Sequence, residues 1–451
     1  MIKNIPELDP KFKPFEAFIR EFLKTANKPI SIAIERNDGL TSLYDTYIHG
    51  TSEKADEDFL YIERLVKFLL WSRGGHKIIV CGDKEIADRL KETYANKGER
   101  DFDYHFMGNV YEKSFTVESR DLEDKPAVKE NPQKIGRHLD GCRIGFDAGG
   151  SDRKVSAVIN GESVYSEEVV WFPKLKEDPE YHYSHIVEAL KTAASKMPRV
   201  DAIGVSSAGI YIDNHARVAS LFIKIPKENF DKKVKDIYIR AAKEIGDVPL
   251  VVANDGDVTA LAGSMSLNDN NILGIAMGTS EAVGYIDKDG NITGWLNELA
   301  FAPVDLSPDA EVDEWSFDRG VGCKYFSQDA VIKLAPAAGI DLDPELSLAE
   351  KLKVVQELME KDDPRAAAIY RSIGCYLGHT IPLYARFYDI KHVLLMGRVT
   401  SGKGGSIIID TANNVMSQEY PEISKAISLQ LPSEKSRRVG QSIAAASLPK
   451  I

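Results

Sequence analysis

The 451-residue sequence has few cysteines, a deficit of basic charge and no long apolar run. No stretch reaches the roughly 18 consecutive apolar residues of a membrane-spanning helix. The first residues, MIKNIPELDPKFKPF, contain no apolar signal core, so the expected location is the cytoplasm. The four cysteines (Cys81, Cys142, Cys323 and Cys375) are scattered and form no Cys-x-x-Cys pair. In the cytosol they read as reduced thiols. Lys and Arg number 57 against 69 Asp and Glu, a net charge of −12. This argues against a nucleic-acid partner, which needs a broad basic face. There is no internal repeat and no low-complexity tract. With 43% hydrophobic and 28% charged residues, the composition is that of a globular chain of two or three domains.

Four apolar runs each end in small or acidic residues. IGFDAGGS (144–151) drives into a Gly-Gly-Ser turn, and VVANDGDVTALAG (251–263) delivers Asn-Asp. ILGIAMGTSEAVGYI (272–286) breaks at a glycine followed by Thr-Ser, and VLLMGRVTSGKGG (393–405) is a further glycine turn after an apolar run. A glycine turn lets backbone N–H groups approach a phosphate closely, because no Cβ intervenes. Gly-Gly turns also close ordinary hairpins. The signal therefore lies in the order of the segments more than in any one of them.

Residues 1–115 read as a separate α/β unit. Phe15, Phe18, Ile19, Phe22 and Leu23 recur at helical spacing after Pro14. A hairpin turns at Asp38-Gly39, and a helix through Phe59, Ile62, Val66 and Leu69 stops at Gly74-Gly75. KIIVCGD (77–83) is a strand ending at an N-cap candidate, Asp83. The strands and the lack of a helix pair argue against a helix-turn-helix. A structural or subunit-contact role, or a second ligand site at VCGDKE, remains open. Residues 116–141, charged and carrying Pro126 and Pro132, suit a linker. The acidic stretch 302–322 reads as a solvated loop.

The four glycine and Asp segments resemble the motifs of the superfamily that includes actin, the heat-shock ATPases and the sugar kinases. Within it they are most similar to the ROK family of sugar kinases and sugar-responsive repressors, over roughly 142–450. IGVSSAGIYIDNHARVAS (203–220), NELAFAPVD (297–305) and VGQSIAAASLP (439–449) fit further family segments. The resemblance implies an α/β, two-lobed actin-like ATPase (ribonuclease H-like) fold with a cleft between lobes. A first lobe would span 142–250 and a second 251–451, its body running to about 435 before the last helix crosses back. It implies ATP- and Mg²⁺-dependent phosphorylation of a hydroxyl of a sugar or sugar derivative. Asp255 would be the general base, with capping of the following helix as its alternative. Asp147 would hold Mg²⁺ through water. Gly149, Gly150, Ser151, Lys154, Gly278, Thr279 and Ser280 would face the phosphates, and Gly397 and Gly402 the adenosine. Asn254, Glu298 and Ser207 would face the sugar.

Three departures from the family pattern concern the substrate more than the reaction. Phe301 stands where many ROK kinases place a zinc-ligating His, and only Cys323 remains of their cysteine cluster. One thiol cannot build a tetrahedral site, so no zinc is expected. Lys224 falls near a usual sugar-binding Asn. The partner expected is a small-molecule sugar, a non-hexose polyol or an acidic sugar among them, with no nucleic acid and no membrane; homodimerisation is left open. The competing reading is a sugar-sensing or regulatory protein that keeps the fold without turnover.

Overall fold

The computed structural model describes residues 2–132, 134–432 and 440–451. Val439 of the C-terminal motif and the boundary expected near 435 lie outside these residues. The described chain divides into two compact units. The first combines Met1–Asn131, Ile275–Val283 and Trp295–Leu431, and the second Pro132–Gly274, Gly284–Gly294 and Pro432–Ile451. No described helix is long and apolar enough to cross a membrane.

The chain opens with the helix Phe15–Phe22, which buries Phe15, Ile19 and Phe22 at the spacing seen in the sequence. Strands β1 (Lys28–Glu35) and β2 (Thr41–Ile48) form the expected hairpin, with Asp38 at φ 59° in its turn. The helix Ala55–Arg73 stops at Gly74, φ 75°. Strand β3 (Lys77–Cys81) then leads to Asp83, whose carboxylate accepts the Ile86 N–H at 3.0 Å and caps the helix Lys84–Thr93. After the helix Asp101–Tyr111 comes β4 (Thr116–Arg120), parallel to β3, in a sheet ordered β2-β1-β3-β4. The stretch expected to be linker from 116 therefore begins as an edge strand. Its charged Glu118 and Arg120 conceal it from a hydrophobicity reading.

The second unit is built on β5 (Cys142–Ala148), β6 (Asp152–Ile159), β7 (Glu162–Val170), β8 (Ala202–Ser207) and β11 (Leu250–Asn254), in the order β11-β8-β5-β6-β7. A small hairpin, β9 (Ile210–Ile212) and β10 (His215–Val218), lies between β8 and β11 in sequence. β5, β6 and β7 are antiparallel, whereas β8 and β11 join parallel. Phe146, Val205 and Trp171 pack with Ile186 and Leu190 of the helix Pro179–Ala194 in one core. The C-terminal helix Gln441–Ala446 also lies against this sheet. A Cβ on Gly145 would stand 1.6 Å from the Ser442 carbonyl oxygen, and one on Gly204 1.7 Å from that of Ala445. Two glycines on adjacent strands thus admit a helix of small residues at backbone distance.

Strands β12 (Ile272–Met277), β13 (Glu281–Ile286), β14 (His392–Met396) and β15 (Ser428–Gln430) form a further sheet, ordered β13-β12-β14-β15. The long helices Pro364–Tyr384 and Lys403–Glu419 pack against each other in the first unit. The acidic stretch 302–322 departs from the solvated loop expected. Asp305, Asp313 and Asp318 are buried, while Asp309, Glu311 and Glu314 are exposed. The buried three are saturated: Asp305 accepts from Tyr325 Oη (2.6 Å) and the Lys13 amide (2.8 Å), and Asp313 from the Ser316 amide (2.6 Å). Asp318 meets Arg64 and Arg100 at 2.9 and 2.8 Å.

Candidate active site

In the second unit, pairing of β5 with β6 and β8 sets Asp147 opposite Lys154 on one side and Ser206 on the other. Ser206 donates its hydroxyl to Asp147 Oδ1 at 2.8 Å. Burial pushes the Asp147 carboxyl up to about 7, against the pull of the Ser206 hydrogen bond, and the negative charge of Asp255 adds to the rise. Lys154 forms ion pairs with Glu168 (3.6 Å) and Asp152 (3.8 Å).

From Ala148 the chain turns through Gly149, Gly150 and Ser151. Trp171 grips the turn from its carbonyl side: its indole N–H donates to the Gly149 oxygen at 2.7 Å and its amide to the Ser151 oxygen at 3.1 Å. The N–H groups of Gly150 and Ser151, at the tip of the turn, donate to no described residue, whereas the β5–β6 register sets Gly149 opposite Asp152. Two successive unclaimed N–H groups at a turn tip can face an anion. The Lys174 amine lies 3.4 Å from where a Gly150 Cβ would stand.

β11 ends at Asn254, and the helix Asp255–Leu267 begins at the next residue. Asn254 is the cap. Its Oδ1 accepts the Gly256 N–H at 2.7 Å, and its Nδ2 donates to the Gly209 carbonyl at 2.8 Å. Asp255 is half-buried, and its Oδ1 accepts the same Gly256 N–H at 3.1 Å. Burial raises its carboxyl above the ordinary value, opposed by the Gly256 hydrogen bond and by the charge of Lys174. Gln441 ties the group together, donating to Ser206 Oγ (3.1 Å) and to the Asp255 carbonyl (2.9 Å). Ser207 is fully buried, and its hydroxyl pairs with those of Tyr211 (2.7 Å) and Tyr238 (2.8 Å).

In the first unit, Gly278, Thr279 and Ser280 form the β12–β13 turn, closed by the Gly278 N–H on the Ser280 carbonyl at 3.0 Å. Thr279 and Ser280 are exposed. Gly397, φ 92°, follows β14, and a Cβ there would lie 2.4 Å from the Met277 carbonyl oxygen. The backbone of Gly397 thus abuts the strand that leads into Gly278. Gly402 precedes the helix Lys403–Glu419, and there Glu360 Oε1 accepts the Lys403 N–H at 3.3 Å. Glu298 is half-buried on a loop and opens the short turn Leu299–Phe301. Near it lies Glu281, whose carboxyl burial pushes up to about 8; a hydrogen bond from Tyr384 (3.1 Å) opposes this and the charge of Glu298 adds to it. Phe301 packs on the cluster of Ala300, Val321 and Cys323. The Cys323 thiol lies 3.5 Å from Asp313 Oδ1, and burial pushes it well above its ordinary range.

No family model and no curated protein sequence matches the chain. Solved structures do. A ROK hexokinase from Thermus thermophilus superposes with a TM-score of 0.51 at 18% identity, over 67% of this chain and 97% of that one. A ROK family glucokinase from Streptomyces griseus, in complex with glucose and AMPPNP, gives 0.50 at 19% identity, over 68% and 98%. The chain has the fold of the ROK proteins. That fold is shared with a ROK family transcriptional regulator, a homolog of the E. coli MLC protein, at a TM-score of 0.51 and 16% identity, over 69% and 79%. The α/β fold of the actin-like ATPase and sugar-kinase type expected from the motifs is therefore the one adopted.

Within this ROK fold, Asp147, the Gly149–Ser151 turn, Asn254 and Asp255 gather at neighbouring strand ends of one sheet. Gly278 and Gly397 gather in the other unit, where Glu298 also lies. Sequence reading missed Lys174 and Gln441. Lys174 sits in a charged stretch indistinguishable from solvated surface, and only the return of β7 carries it to the Gly150 turn. Gln441 is an ordinary helix residue until the two sheet glycines admit its helix.

Proposed function

We propose that the chain is an ATP- and Mg²⁺-dependent kinase acting on a hydroxyl of a sugar or sugar derivative. One observation carries the reading: a carboxylate of raised basicity, Asp255, stands at a strand end beside Asp147 and a turn of unclaimed backbone N–H groups. Phosphoryl transfer asks a protein for such a base, for donors that hold the phosphates, and for charge neutralisation. Asp255 would take the proton of the sugar hydroxyl as its oxygen attacks the γ-phosphorus, the bond to ADP breaks, and ADP leaves with the electron pair. The Gly149–Ser151 turn would hold phosphate oxygens, with Lys174 adding positive charge. The buried Asp147, an all-oxygen ligand with Ser206 alongside, fits Mg²⁺ held through water. When bound, the ion would neutralise phosphate charge. Gly278, Thr279, Ser280, Gly397 and Gly402 are assigned to the nucleotide, and Glu298 and Asn254 to sugar hydroxyls. Asn254 would do so while capping its helix. The packing of Phe301 and Cys323 in an apolar cluster supports a chain without zinc.

Likeness to a regulator supports a second reading, a sugar sensor without turnover. Purified protein screened against a broad sugar panel with MgATP, following ADP release, separates the two. Turnover on at least one sugar is expected. Calorimetric sugar binding without any ADP release would replace the kinase by the sensor.

A further inference from the structure

The loop that carries Glu298 is held by the N-terminal α/β portion. Leu296, Asn297 and Glu298 donate their backbone N–H groups to the carbonyls of Arg73, Ser72 and Trp71 at 3.2, 3.0 and 2.9 Å. Those carbonyls belong to the last three residues of the helix Ala55–Arg73, where no further helical N–H group exists to claim them. Asn297 sits at φ 53°, a left-handed conformation that costs energy unless neighbours impose it. The same helix grips the loop again just beyond Glu298. The fully buried Trp71 ring lies 4.5 Å from Phe301 and 4.8 Å from Phe106, with Phe102 at 6.0 Å. Its indole N–H donates to Asp103, which also takes Lys67 Nζ at 3.1 Å. Lys67 and Arg64, one and two turns back along the helix, meet Asp318 at 3.3 and 2.9 Å. One helix face thus holds both ends of the segment 296–318.

We propose that the N-terminal portion positions Glu298, with Trp71, Phe102 and Phe106 as positioning residues that fix the loop and so the orientation of the sugar-binding carboxylate. This rests on the reading of Glu298 as a sugar ligand. The test compares wild type with Phe106→Ala and its conservative counterpart Phe106→Tyr in the full chain. Hydrogen exchange at the amides of residues 296–298, and KM for sugar and for MgATP, are measured on each. In Phe106→Ala the three amides should exchange about tenfold faster or more and sugar KM should rise about tenfold, with KM for MgATP within about twofold. Phe106→Tyr should restore both. Should Phe106→Ala fail to fold, Phe102→Leu carries the same comparison. Unchanged exchange and unchanged sugar KM in a folded variant overturn the proposal, as does an equal loss for both substrates. If exchange rises as expected but wild type neither binds nor phosphorylates any sugar, the kinase reading falls while the hold on the loop stands.

Discussion

Asp255 and Glu298, the proposed base and the proposed sugar ligand, are two acidic side chains positioned by opposite means. Asp255 follows a strand by one residue, and its neighbour Asn254 fixes the turn by capping the helix that begins there. Glu298 lies on a loop, one residue after a left-handed Asn297, and its backbone is held by a helix end more than 200 residues earlier in the chain. A strand end carries its own orientation, because sheet register and a local cap specify it. A loop carboxylate takes its orientation from whatever packs on the loop. The first kind should therefore tolerate distant change, and the second should not.

The largest effect should come from the proposed base. Asp255→Asn is expected to lower kcat for ADP release by about 10²–10⁴-fold with unfolding stability close to wild type. Turnover within a few-fold of wild type would leave Asp255 no more than part of a cap. In the first unit the corresponding break is Asp318→Ala, which strips the shared partner from Arg64, Lys67 and Arg100. Removing one member of a buried ion network costs about 3–5 kcal/mol, read by denaturant unfolding. A loss under 1 kcal/mol would mean that the cations find other partners and that the clamp on the loop is weak.

Glu281 offers a pH test beside Glu298. Its carboxyl titrates near 8 in the fold and near the ordinary 4.5 when unfolded. The folded state holds the proton more tightly, so its contribution is complete below about pH 4.5 and is lost as pH rises through about 8. The Tm of wild type should fall across that window more steeply than that of Glu281→Gln, by the equivalent of about 1–3 kcal/mol. Parallel curves would show that the group is already ionised. Glu298→Gln should raise sugar KM about tenfold, since the amide loses one acceptor, and leave KM for MgATP unaltered. A rise in MgATP KM alone would remove Glu298 from the sugar side. The smallest effect expected is that of metal removal. Protein purified without a metal-binding tag should hold no stoichiometric zinc, and Cys323→Ser should cost only about 1 kcal/mol. Zinc that disappears together with stability in that variant would reverse the reading of Phe301.

Much of the fold was legible because it is written locally. The helix Phe15–Phe22, the β1–β2 hairpin, the Gly74 stop and the Asp83 cap all derive from periodicity, turn residues and capping chemistry within a few positions. The glycine and Asp ends of β5, β11, β12 and β14 were legible in the same way. The exception is informative: the acidic stretch 302–322 reads as solvated, yet half of its carboxylates are buried. Asp318 is held by Arg64, Lys67 and Arg100 and Asp305 by the Lys13 amide and Tyr325, and the cations and Lys13 are residues that sequence proximity does not reveal.

By itself the sequence determined where strands end, that Asp83 caps a helix, and that Asp147, Asn254 and Asp255 stand at strand termini, because hydrogen bonding and backbone conformation act over a few residues. At the site helix the cap is Asn254 and not the Asp255 offered by sequence. Tertiary structure alone decided that Lys174 reaches the Gly150 turn, that Gln441 ties Ser206 to Asp255, and that Trp71 holds the Glu298 loop. Those arrangements depend on which surfaces pack together, and packing joins residues by shape and charge without regard to their separation along the chain.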